Sequence, residues 1–139
     1  MATRPIPFIL CGRNPNIAKT VREGVTPKYH VPHTFLSLEE AKTNIPPLLS
    51  PTSPDRPVAV VLGGGFDDAM FAEIKEACDA APGGKGVAWL RTDITGKVEM
   101  PDRNDAEAYG KAMGMRLKGG LEKLGVGEEE GVKGGVHFF

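Results

Sequence analysis

The sequence has little of several features that would narrow its function at once. Its 139 residues include two cysteines, three histidines and one tryptophan, and the formal net charge is -1. A charge so close to zero gives no long-range attraction to nucleic acid or to an anionic membrane surface. No apolar run approaches the roughly 20 residues that a membrane-spanning helix needs. We therefore expect neither nucleic acid nor a membrane among the partners.

The scarce cysteines and histidines also bear on compartment and metal chemistry. Cys11 and Cys78 fall in different predicted elements, which favours a reduced, intracellular and cytoplasmic protein over a disulfide-linked one. His30 and His33 are three residues apart in a predicted strand, so their side chains point to opposite faces. We predict no metal site, and no cofactor can be assigned.

Glycine and apolar residues, by contrast, are concentrated where they predict structure. The segment Pro57-Val-Ala-Val-Val-Leu-Gly-Gly-Gly-Phe-Asp67 is a continuous apolar run followed by three glycines and an acidic helix start. A strand without polar alternation is covered on both faces, as in the middle of an α/β sheet. The glycines allow a tight turn and a close approach to the backbone.

Four strand-and-helix units follow one another along the chain. The predicted strands cover residues 7–11, 28–36, 57–62 and 86–91. The predicted helices cover residues 15–23, 37–45, 67–81 and 104–124. This alternation predicts one α/β domain over residues 1–139, with three layers and a parallel sheet joined by right-handed crossovers. Pro32 lacks a donor for a central strand, so we place the second strand at the edge, in the order 2-1-3-4.

Glycines and prolines predict the helix boundaries. Gly24 is the expected end of the first helix, and the pair Pro46-Pro47 is the expected limit of the second. Gly110, Gly114, Gly119 and Gly120 lie inside the predicted fourth helix, where they either mark close packing against a neighbour or are simply tolerated.

The tail, residues 125–139, ends in the apolar segment Val136-His-Phe-Phe139. It either docks on this chain or joins a partner, and the sheet is predicted to have four strands, with a fifth left open. Because a four-stranded sheet leaves two edges exposed, we predict a homodimer formed through the fourth strand, the fourth helix or the tail.

The strand order predicts the place of a ligand. In a sheet of this order, the turns after the first and third strands splay apart and leave a crevice at the carboxyl edge. The predicted ligand-binding residues are Gly12, Arg13, Asn14, Asn16, Gly63, Gly64, Gly65, Phe66, Asp67 and Arg91. Asp93 is next in line after the fourth strand.

The charges at the two helix starts differ. Arg13 precedes the first helix, which contains no carboxylate before Glu23. We expect free N–H groups and the positive end of the dipole at its N-terminus, which suits a phosphate or carboxylate. Asp67 and Asp68 open the third helix and would repel an anion. The expected ligand is therefore small and anionic: a nucleotide, a CoA ester or a similar phosphate compound.

The known phosphate-binding motifs are mostly absent. The first turn, Cys-Gly-Arg-Asn-Pro-Asn, has one glycine of the dinucleotide-binding fingerprint. The acidic residue that ends the second strand in that fingerprint, and binds the ribose, is missing. Cys11 and Leu62 stand where a receiver domain carries aspartates, and the Walker and flavodoxin loops are missing. The chain resembles small Rossmann-like nucleotide-binding domains in fold, and Gly12-Arg-Asn-Pro15 is similar to the first loop of CoA-binding Rossmann domains.

Three functional hypotheses follow. The first is a binding protein that holds its ligand in the crevice without catalysis. The second is a small enzyme in which Asp67, Cys11 or Arg91 acts in the same crevice. The third is an interaction module that works through its sheet edge and tail.

Overall fold

The computed structural model describes residues 5–50, 56–63, 65–81, 87–92, 101–102, 104–126, 131 and 134–139. Strands and helices alternate along this part of the chain: β1 (Ile6–Cys11), α1 (Pro15–Val25), β2 (Tyr29–Phe35), α2 (Leu38–Leu48), β3 (Ala59–Leu62), α3 (Asp68–Asp79), β4 (Ala88–Arg91), α4 (Ala106–Leu124) and β5 (Val136–Phe138). The strands pair in parallel in the order β2-β1-β3-β4-β5. The predicted α/β class and strand order are confirmed, and the tail supplies a fifth strand.

The sheet separates two apolar cores. Successive residues of a strand point to opposite faces, so Leu10 and Val61 pack in the first core with α1 and α4. Cys11 and Leu62 pack in the second core with α2 and α3. Both faces of the central strands are thus buried, which explains their lack of polar alternation.

The helices α1 and α4 cross closely because glycines meet at the contact. A β-carbon on Gly110 would lie 2.5 Å from Cβ of Thr20, and one on Gly114 would lie 3.5 Å from Cα of Gly24. The packing interpretation is therefore confirmed for Gly110 and Gly114, whereas Gly120 lies against Phe139 and a β-carbon on Gly119 would meet open space. The prediction that Gly24 ends the first helix is wrong: α1 continues to Val25, and Gly24 contacts α4 from within it.

The helix α2 continues through Pro46 and Pro47, against the prediction that it ends before them. Both prolines lie in its last turn, where the chain tightens: the Leu49 N–H donates to the carbonyl of Pro46 at 3.2 Å. Ile45 and Leu49 are fully buried in the second core, and this burial holds the turn in place.

Candidate functional site

The turns that follow β1 and β3 are neighbours at the carboxyl edge of the sheet. The two strands pair in register from Phe8 with Ala59 to Cys11 with Leu62. The Gly63 N–H donates to the carbonyl of Cys11 at 2.8 Å, which continues the pairing into the turn. The strand order alone predicted this juxtaposition.

Glycine at position 65 makes room for Arg13. A β-carbon built on Gly65 would lie 2.5 Å from Cγ and 3.1 Å from Cβ of Arg13, so the aliphatic stem of the arginine runs across the bare backbone. Arg13 is exposed, and within the described part of the chain it makes no ion pair. Its guanidinium is therefore available to an anion at the rim.

A cavity of about 210 Å³ opens beside these turns, on the α1 and α4 side of the sheet. We call it the carboxyl-end cavity. It is lined by Leu10, Cys11, Gly12, Arg13, Asn14, Ile17, Ala18, Val21, Val61, Gly63, Gly65, Thr92, Tyr109, Met113, Leu117 and Phe139.

The inner wall of the cavity is apolar and its rim is polar. Val21, Val61 and Leu117 belong to the first core and line the inner wall. Thr92 is buried, and its hydroxyl donates to the carbonyl of Leu62 at 3.1 Å. The Thr92 oxygen keeps acceptor capacity for a ligand group. This arrangement suits a compact molecule with an apolar body and one polar end.

The N-terminus of α1 offers fewer donors than the sequence suggested. The Asn14 side chain accepts hydrogen bonds from the N–H groups of Asn16 at 2.9 Å and Ile17 at 3.3 Å. Pro15 has no N–H, and the Ala18 N–H bonds to the carbonyl of Asn14. The helix dipole still favours an anion. The expectation of free N–H groups in this turn is wrong, so a charged ligand group would depend on Arg13.

The structure brings only part of the predicted site together. Gly12, Arg13, Asn14, Gly63 and Gly65 line the cavity. Gly64 and Asp93 lie outside the described residues. The remaining predicted residues, Asn16, Phe66, Asp67 and Arg91, are not among the lining residues.

These residues have other contacts. Phe66 is buried in the second core, on the opposite face of the sheet. The Asp67 carboxylate caps α3 by accepting the Met70 N–H at 2.9 Å. Asn16 is exposed on α1, and its carbonyl accepts the Thr20 hydroxyl at 3.1 Å.

The Arg91 side chain also lies on the face of the sheet that carries the second core. Its guanidinium lies 4.6 Å from the ring centre of Phe71 and 5.6 Å from that of Phe138. It forms a 2.7 Å ion pair with the exposed carboxylate of Asp68. These contacts hold the Arg91 side chain between α3 and β5, away from the cavity.

Cys11 is placed for packing and not for nucleophilic chemistry. The residue lines the cavity, but it is fully buried and packs in the second core. Burial raises the pKa of its thiol, with a smaller contribution from Cys78. A thiolate is the reactive form of cysteine, so this environment disfavours a nucleophile.

Several cavity residues were not predicted as ligand contacts. Tyr109, Met113 and Leu117 recur every four residues along α4, a pattern that indicates core packing and does not indicate ligand contact. Phe139 lies in the apolar tail, which indicated docking on this chain or on a partner and did not indicate a ligand contact. Thr92 directly follows β4 at the same edge of the sheet.

The part of the chain that the structure describes was compared with the requirements of a metal site and of a membrane-spanning helix. No cluster of three or more histidine, cysteine or acidic residues is placed there to hold a metal ion. None of its helices combines the length and hydrophobicity needed to cross a membrane.

One comparison with known proteins is informative. The chain is 37% identical over 145 aligned positions to Kojic acid related protein 6 of Aspergillus oryzae, covering 96% of this chain and 86% of that protein. The chain matches no protein-family model. No solved structure matches it significantly. The identity and coverage show that the chain belongs to the family of Kojic acid related protein 6.

Proposed function

We propose that this member of the Kojic acid related protein 6 family binds a small anionic ligand in the carboxyl-end cavity, without catalysing a reaction. The observation that carries the proposal is an apolar cavity at the β1 and β3 switch point with Arg13 at its rim. Open parallel sheets bind ligands at this position. The apolar part of the ligand would enter between α1 and α4, and its acidic group would meet Arg13.

The size of the cavity limits the ligand. An engineered cavity of roughly 150 Å³ accepts benzene, whereas sites for drug-sized ligands enclose about 300–1,000 Å³. The carboxyl-end cavity, at about 210 Å³, therefore suits a single substituted ring. A nucleotide or CoA ester would insert one ring or one arm and leave its phosphates at Arg13.

The relative's name adds one candidate to the ligands worth testing. It associates that protein with kojic acid. Kojic acid is a single oxygenated ring, which is the size class that the cavity favours. We include it among the probes beside aromatic carboxylates and mononucleotides.

The positions of the chemically reactive residues support binding without catalysis. Cys11, Asp67 and Arg91 are the residues that a catalytic interpretation of the sequence would use. Asp67 caps α3, Arg91 pairs with Asp68, and Cys11 packs in the second core. Because of these contacts, the three side chains do not face one common ligand.

Arg13→Ala tests the proposal, with Arg22→Ala as its control. Arg22 is also an exposed arginine of the α1 region, but it does not line the cavity. Isothermal titration with benzoate, uridine monophosphate and kojic acid should show that Arg13→Ala weakens the binding of the two anions, benzoate and uridine monophosphate, about tenfold, a loss in the range expected for one charge-assisted contact. Equal affinities in both variants would contradict the role of Arg13. No binding of any probe to the wild-type chain would contradict the proposed function.

We also propose that the protein is cytoplasmic, in keeping with its two free, buried cysteines, and that it is a homodimer joined along the β5 edge. The supporting observation is that Val136 and Phe138 are 40% and 61% exposed on this short strand. Because β5 covers β4, the fourth strand is no longer the candidate edge that the sequence suggested. Sedimentation at micromolar concentration should give a dimer that Phe138→Asp converts to a monomer. A monomeric wild-type chain would remove the proposal.

A further inference from the structure

One wall of the carboxyl-end cavity comes from the far end of the chain. Phe139 directly follows β5 and lines the cavity together with Tyr109, Met113 and Leu117 of α4. It also packs against the first core. The tail therefore contributes a large aromatic ring to a site whose other residues belong to the sheet edge and two helices.

Phe139 is held in this position by three separate contacts. Its N–H donates to the carbonyl of Arg91 at 3.0 Å, which extends the pairing of β4 with β5. Its carbonyl oxygen accepts a hydrogen bond from the Arg116 guanidinium at 2.9 Å. A β-carbon on Gly120 would lie 3.0 Å from Cβ of Phe139, so the residue rests directly on the backbone of α4.

The preceding residue has the opposite environment. Phe138 is 61% exposed and lies beside the Arg91 guanidinium, outside the cavity. Successive residues of a strand point to opposite faces. The tail thus places one phenylalanine at the cavity and the other toward solvent, which gives a matched pair of positions for substitution.

We propose that Phe139 determines the largest ligand that the cavity accepts. This inference rests on the proposed function. These contacts fix the backbone and Cβ of Phe139, and its side chain packs against the first core, so the ring can move aside only by changing rotamer and losing that packing. A single-ring ligand fits beside Phe139, whereas a two-ring ligand requires the volume that its side chain occupies.

The test compares a one-ring and a two-ring carboxylate. Benzoate and 2-naphthoate would be titrated into the wild-type chain and into Phe139→Ala, Phe139→Leu and Phe138→Ala. The wild-type chain should prefer benzoate, and so should Phe138→Ala, which removes a ring from the proposed dimer edge and therefore also controls for a change of oligomeric state. Phe139→Ala should shift the ratio of the two affinities toward naphthoate by about tenfold, and Phe139→Leu should lie between them.

Each outcome separates this inference from the proposed function. If the wild-type chain binds benzoate and both Phe139 variants keep its ratio of affinities, the inference is wrong and the proposed function stands. If the wild-type chain binds neither carboxylate nor the other probes, the proposed function fails and the inference fails with it. If Phe139→Ala releases β5, seen as rapid amide exchange at residues 136–138, Phe139→Leu decides the question, because leucine retains an apolar anchor.

Discussion

Replacing Ala18 by leucine should fill the carboxyl-end cavity and stabilise the protein. Ala18 lies on α1, is 5% exposed and lines the cavity. Leucine adds three carbons, which is at most roughly 2.4 kcal/mol at about 0.8 kcal/mol per buried carbon. Ordering the longer side chain costs about 0.5–1 kcal/mol. We expect a net gain of about 1–2 kcal/mol, because an existing void of about 210 Å³ receives the added atoms.

Ala41→Leu is the matched control. Ala41 is fully buried on α2, in the second core, and does not line the cavity. The same added carbons there meet close-packed neighbours, and overpacking of this kind costs about 1–3 kcal/mol. The two substitutions are chemically identical, so their difference measures the space around each alanine.

Thermal unfolding by circular dichroism would compare the two variants with the wild-type chain. At roughly 4 °C per kcal/mol for a chain of this length, Ala18→Leu should raise Tm by about 4–8 °C and Ala41→Leu should lower it. Ala18→Leu should also abolish binding of a one-ring carboxylate. Equal destabilisation by the two variants would refute the reasoning, because it would mean that no void adjoins Ala18.

Two other predictions test the packing of α4 and the buried thiols. Gly119→Ala should raise the free energy of unfolding by up to about 1 kcal/mol through helix propensity, because a β-carbon there meets open space. Gly120→Ala should raise it less, because its β-carbon crowds Phe139. Equal urea midpoints for the two variants would contradict this contact. Burial raises the pKa of Cys11, and burial with Asp79 raises that of Cys78 to about 12, so the unfolded state loses thiol protons first as pH rises. Stability should therefore fall above about pH 9 by about 1.4 kcal/mol per pH unit for each thiol, more steeply than in the double alanine variant, and parallel urea-midpoint profiles would exclude the effect.

The strand order could be predicted from the sequence because individual residues restrict where each strand can lie. Pro32 excludes its strand from the centre, and the apolar run ending at Leu62 requires cover on both faces. The parallel order then brings the turns at Gly12 and Gly63 together without further information. This part of the site follows from topology.

The sequence could not predict which side chains line the cavity. A strand that is buried on both faces shows no polar alternation, so its residues cannot be assigned to one face or the other. Arg91 ends a predicted strand at the correct edge, yet its side chain belongs to the second face and pairs with Asp68. Phe66 lies in the turn after β3, where no strand alternation exists, and its side chain packs in the second core. The strand pattern determines the edge of the sheet but not the layer.

Local signals also competed for the same atoms. Asn14 was predicted to contact the ligand, but its side-chain oxygen caps α1 by accepting two backbone hydrogen bonds. Gly24 looked like a helix end because glycine is common there. In the structure its missing side chain instead allows contact with Gly114, a tertiary requirement that no local pattern reveals.

Methyl-resolved NMR of a benzoate titration tests the central claim most directly, because it locates the bound ligand. The account predicts shifts for the methyl groups of Ile17, Val61 and Leu117, which line the cavity, and none for Ile45 and Ile74 in the second core. Shifts confined to Ile45 and Ile74, or no shift at any methyl group, would contradict the account.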